Sequence, residues 1–171
     1  MKTCSEIGST GDFGLLKVSE AIDSGMPYII GIVLALLSVV LARLSGLDRD
    51  RAFYPIILIV VATYYLLFAV IGGSFGALVV ESIVMIAFAI VAVLGFKFNL
   101  WLVVFALAAH GVFDFVHGNV VVNPGVPIWW PEFCMAYDVI AAAFLAWLLY
   151  QRKLNKTGPQ PSAAQSSAPS N

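Results

Sequence analysis

Five stretches of this chain are long enough and apolar enough to cross a bilayer, and no other feature narrows the fold so far. A hydrocarbon core about 30 Å thick takes roughly 20 mostly apolar residues as a helix. The stretches are residues 27–44, 53–71, 75–96, 100–116 and 133–150. Backbone groups in lipid must pair internally, so a span is either a helix or a strand of a closed barrel. Barrel strands alternate polar and apolar residues. The run from Pro55 to Ala62 does not alternate. The pattern predicts an all-α polytopic membrane bundle of five transmembrane helices. Composition agrees: the chain is 61% hydrophobic and 11% charged, against about 45–50% and about 25% in soluble domains. There is too little polar side chain to cover a soluble globule. A net charge of −1, with no cluster of cations, argues against nucleic acid as a partner. Two cysteines are too few for a disulfide scaffold.

The ends divide the chain into three parts: an extracytoplasmic segment 1–26, a transmembrane domain 27–150 and a disordered cytoplasmic tail 151–171. The first span is not read as a cleaved signal. The residues before it carry Lys2 and Lys17 against Glu6, Asp12, Glu20 and Asp23, where a signal wants a basic start. Leu15, Val18 and Ile22 share a stripe, which predicts a short helix over 13–24 lying on the outer surface. The tail is rich in Ser, Ala, Pro and Gln without periodicity. Five spans put the termini on opposite sides. Arg43, Arg49, Arg51, Lys97, Arg152, Lys153 and Lys156 then share one side, and only Lys2 and Lys17 the other. Basic residues gather on the cytoplasmic side, so the N-terminus is expected out and the C-terminus in, in a multi-pass protein of the cell membrane.

Ionisable groups inside spans are expensive and usually functional. Here they are Glu81 in the third span, His110, Asp114 and His117 in the fourth, and Asp138 in the fifth. At about 100° per residue, His110, Asp114 and His117 fall near 0°, 40° and 340°, which is one face of the helix. Glu81 and Asp138 each lie about 10 Å into their spans from the same side. Three helices therefore bring five groups to one level of the outer leaflet. Above that level, residues 118–132 form a proline-rich loop in which Pro124-Gly125 suits a tight turn with Gly at the positive-φ position. Its Trp129 and Trp130 suit a lid or a lateral access to the site.

Imidazole and carboxylates together are a ligand set for a divalent transition metal, with zinc or iron favoured. His110, Asp114, His117, Glu81 and Asp138 are the candidate ligands. A carboxylate left off the metal, Glu81 or Asp138, would serve as the catalytic base. A hydrogen-bonded polar network or a proton relay is the competing reading of the same residues. Cys134, four residues before Asp138, is a small apolar residue at a helix start or a soft ligand, with the first reading favoured, or the partner of Cys4 in a disulfide. Tyr64 and Tyr65 are read as packing residues, and Asn99 as a helix cap.

The motifs His110-Gly111-x-Phe113-Asp114-x-x-His117 and Trp130-Pro131-x-Phe133-Cys134-x-x-x-Asp138, with Arg51-x-Phe53-Tyr54-Pro55 upstream, resemble those of small bacterial multi-span membrane proteins of an uncharacterised family. The resemblance spans roughly three-fifths of the chain and implies only that these positions belong together. The site is also similar in kind to intramembrane zinc amide hydrolases, which assemble His and Asp from several helices. Their seven spans and further histidine pair are not present here. Three functions stand at this point. The first is a metal-dependent enzyme, hydrolytic or redox, acting on a lipid-like or hydrophobic small molecule. The second is a proton or cation transport subunit. The third is a non-catalytic accessory subunit docked in a membrane complex.

Overall fold

The computed structural model describes the backbone of residues 10–157 and the side chains of residues 25–153. It is all-helical over that range. The helices are α1 (Thr10–Ser45), α2 (Phe53–Ile71), α3 (Phe75–Lys97), α4 (Trp101–Val120) and α5 (Trp130–Thr157), with a 3₁₀ turn, Leu47–Arg49, between α1 and α2. Each of the five contains a stretch long and apolar enough to cross a membrane. Helix α1 is continuous through Pro27, so the segment expected to be a separate surface helix belongs to the first span's own helix. Helix α5 starts at Trp130, which puts Pro131 in its first turn, where a missing N–H costs nothing. It runs through Thr157, into the part read as a disordered tail. Residues 1–9 and 158–171, and with them Cys4, lie outside the described residues.

Helix α5 packs between α1 and α4, α4 between α5 and α3, and α3 against α2, which returns to touch α4 and α5. Helices α2, α4 and α5 are the most buried spans and α3 the least. The buried positions of α3 are Ala77, Glu81, Ala92 and Gly95, so this helix approaches its neighbours through small residues and one carboxylate. Close backbone approach of this kind drives packing where lipid is as apolar as leucine. The large apolar side chains point outward instead: Val33, Leu37 and Leu41 on α1 and Ile83, Ile86 and Ile90 on α3 are all exposed. An apolar outside over a partly polar inside is the pattern a bilayer selects.

At one end, Asp48 is buried and accepts from Arg43 at 2.8 Å, while Arg152 donates to its backbone carbonyl at 2.9 Å. This ties α1 and α5 at the basic end. Tyr54 is buried there. At the other end, Gly73 takes φ 62° in the turn between α2 and α3. Gly125 does not take a positive φ, contrary to the expectation for Pro124-Gly125. Its glycine is required by space, since a Cβ would collide with the Phe68 carbonyl of α2. Asn123 then pins the loop, donating to the Tyr65 carbonyl at 3.0 Å and to Glu81 at 3.1 Å.

Candidate metal centre

Helical period alone puts His110, Asp114 and His117 on the inward face of α4, and all three are buried. Glu81 and Asp138 are buried too. The five groups do not form one shell but two adjoining ones. In the first, His110 Nδ1 lies 2.6 Å from Asp138 Oδ2 and 3.4 Å from Asp114 Oδ2. Cys134, one turn before Asp138 on α5, completes a group of four whose ligand atoms all lie within 4.8 Å of one another. In the second, His117 Nε2 lies 2.7 Å from Glu81 Oε1. The separation follows from α4 itself, since His110 and His117 are about 10 Å apart along the axis.

Tyr65 joins the two shells. Its hydroxyl donates to Asp114 Oδ1 at 2.8 Å, and its ring stacks on His117 with centroids 4.1 Å apart. It is therefore part of the site rather than simple packing. Its sequence signal was weak: a hydroxyl in mid-span needs a partner, but nothing local says which. Asn123 carried no signal at all, because its partners come from α2 and α3. Cys134 had the signal of its spacing from Asp138, and the apolar reading of it misses the carboxylates it faces. It is a free, buried cysteine.

The polar accounting of the first shell is incomplete. Asp114 Oδ2, Asp138 Oδ1 and His110 Nε2 are buried without a hydrogen-bond partner, as is Glu81 Oε2 in the second. Buried polar atoms are normally satisfied, and leaving them unsatisfied costs about 1–3 kcal/mol each, more when charged. Two carboxylates, an imidazole and a thiol with spare lone pairs, at one point in a low-dielectric interior, make a donor set that could hold a metal ion.

Two openings reach this shell. A cavity of about 230 Å³ at the loop end is lined by Tyr28, Glu132 and Asp114 among others. It offers polar access to the carboxylate side. A larger groove of about 480 Å³ lies between α1 and α2 over α5, with Cys134 among its lining residues. At the basic end, Asn99 accepts from the Trp101 N–H at 3.0 Å just before α4, whose N-cap position is Leu100, and lines a separate cavity that holds no residue of either shell. The level between is filled by Leu58, Val103, Leu107, Ala142 and Leu145.

No family model, curated protein or solved structure matches the chain. The resemblance noted above therefore stays at the level of its motifs. The chain is a membrane-like helical bundle with a buried His/Asp/Cys cluster that could bind metal.

Proposed function

We propose that this is an integral membrane metalloenzyme in which His110, Asp114, Cys134 and Asp138 hold one divalent transition ion, zinc or iron, and act on a hydrophobic substrate taken from the lipid phase. The observation that carries the reading is the group of four ligand atoms within 4.8 Å of one another, in which Asp114 Oδ2 and Asp138 Oδ1 are buried without a partner. One proton can satisfy one of them, whereas an ion can satisfy several at once. A divalent cation offsets the charge of the two carboxylates, and Cys134, as a thiolate on the ion, leaves one net negative charge on the set. Such an ion supplies a water of lowered pKa and polarises a carbonyl, or cycles between oxidation states if it is iron. The protein's own part is to hold Asp114 through Tyr65. Of the two carboxylates considered as base, Asp138 belongs to the proposed ligand set, and Glu81, paired with His117, is the one that stands off the cluster. With the basic end inside, the loop-end opening faces the extracytoplasmic side.

The transport reading is less well supported, because the packed apolar level between the cluster and Asn99 offers no polar route across. The accessory reading would be favoured by a fixed partner that is lost on Asp138→Ala and indifferent to chelator.

Elemental analysis of gently purified protein tests the proposal. Close to one ion per chain is expected in the wild type and in His117→Ala, with loss in His110→Ala and Asp138→Asn. Less than about 0.2 ion per chain in the wild type overturns it. Thermal unfolding in detergent supplies a second readout, since a bound ion stabilises the folded state and chelator removes that gain. A melting temperature that ignores chelator in the wild type, yet rises in Asp114→Asn, would mean that the charges are balanced by protons alone.

A further inference from the structure

We infer that the cavity at the basic end of the bundle binds the phosphate headgroup of an anionic phospholipid, through Arg51, Arg152 and Lys153. The inference does not rest on the metal reading, since the cavity holds no residue of either shell. Its volume is about 370 Å³. Three segments distant in sequence build it. Arg51 comes from the loop before α2, Asn99 from the turn between α3 and α4, and Arg152 and Lys153 from α5. Leu149, Arg152 and Lys153 are spaced i, i+3 and i+4, so one face of α5 brings an apolar floor and two cations to the same space.

Charge selects an anion. No acidic residue is among those that line the cavity. Two acids stand at this end among the described residues. Asp48 is buried and paired with Arg43 at 2.8 Å. Asp50 accepts from the Ala52 N–H at 2.9 Å and lies outside the lining. Among the described residues, the arginine held by a carboxylate is Arg43. Arg152 instead gives an N–H to the Asp48 carbonyl at 2.9 Å, which fixes its guanidinium without neutralising it. Asn99 uses its Oδ1 on the Trp101 N–H, and its NH2 group adds a donor. Three like charges gathered in one concavity repel one another, and an anion among them removes that repulsion. Guanidinium groups bind phosphate oxygens through paired N–H bonds, which suits the two arginines.

Position selects a lipid as the source of that anion. The lining includes Phe98 and Trp101, which are 72% and 40% exposed. Aromatic side chains at the end of a span sit at headgroup level, where the phosphates of a bilayer lie. A basic cleft between helix ends at that depth suits an anionic headgroup. A zwitterionic lipid also brings an ammonium group, for which this lining has no carboxylate. The occupant is therefore a lipid whose only headgroup charge is its phosphate, as in phosphatidylglycerol.

The test is native mass spectrometry of the full chain released from micelles with equal amounts of phosphatidylglycerol and phosphatidylcholine. Thermal unfolding is followed with each lipid alone. A single phosphatidylglycerol is expected to stay bound and to raise the melting temperature, where phosphatidylcholine does neither. Arg51→Gln should weaken retention about fivefold, equivalent to about 1 kcal/mol. Lys153→Gln, a second variant at the cavity, should lose a similar factor. Arg49→Gln removes the same charge from the same end but lies outside the lining, and should leave retention unchanged. Equal retention of the two lipids overturns the inference. An equal loss in Arg49→Gln and Arg51→Gln also overturns it, by showing diffuse surface charge. Inorganic phosphate added in place of lipid is the last arm. A melting temperature raised as much by phosphate as by phosphatidylglycerol overturns the lipid as occupant.

Discussion

Tyr65 carries two kinds of contact, and they can be separated. Its ring stacks on His117, and its hydroxyl supplies the hydrogen bond at 2.8 Å to Asp114 Oδ1. Phenylalanine keeps the ring and removes only the bond. Asp114 Oδ2 already lacks a partner, so Tyr65→Phe leaves both carboxylate oxygens without hydrogen bonds from the protein. The expected cost is about 1–3 kcal/mol, read as a lower melting temperature in detergent. Metal affinity should fall about 10–100-fold as well, because a group that orients a ligand is lost. The matching change at Tyr64, whose ring is partly exposed on the groove, should do neither.

Between elements, close approach at glycine sets how α1 packs on α5 beside Cys134. A Cβ on Gly31 of α1 would collide with the Phe133 carbonyl of α5, next to Cys134. On Gly25, six residues earlier in the same helix, it would meet nothing within 4 Å. Alanine favours a helix over glycine by about 1 kcal/mol, so Gly25→Ala should be neutral or stabilising. Gly31→Ala makes the same gain but must move a backbone carbonyl, and overpacking of this kind costs about 1–3 kcal/mol. Opposite signs of the melting-temperature shift in the two variants are the expected result. Equal shifts would mean that α1 and α5 do not pack through this contact.

For the molecule as a whole, the orientation and the location of the site are one question. The loop-end cavity and the Trp-lined end of the groove lie at the pole opposite Arg43, Arg49, Arg51, Arg152 and Lys153. If that pole faces out, a membrane-impermeant thiol reagent added to intact cells should modify Val122→Cys in a Cys4→Ser background. Val122 is 87% exposed in the loop between α4 and α5. Leu47→Cys, exposed at the basic end, should react only after the membrane is opened. The reverse pattern would put the candidate centre on the cytoplasmic side and remove the charge-based argument for the topology.

The five apolar spans and the polar face of α4 were legible in the order of residues, while the outer ends of α1 and α5 were not. In lipid the backbone must pair with itself, and a helix does so within each segment, so its pattern is local. Glu81 and Asp138 were legible for a related reason: depth along a span is a count of residues. Their partners were not. That Asp138 goes to His110 and Glu81 to His117, that Tyr65 bridges them, and that Cys134 belongs with the carboxylates all depend on how each helix is rotated and how near it comes. Small residues far apart in sequence, such as Gly31 and Ala77, set those distances through contacts with other helices. The groove beside Cys134 is of the same kind. It exists because α1 packs on α5 and not on α2, a choice made by three helices together that none of their sequences states alone.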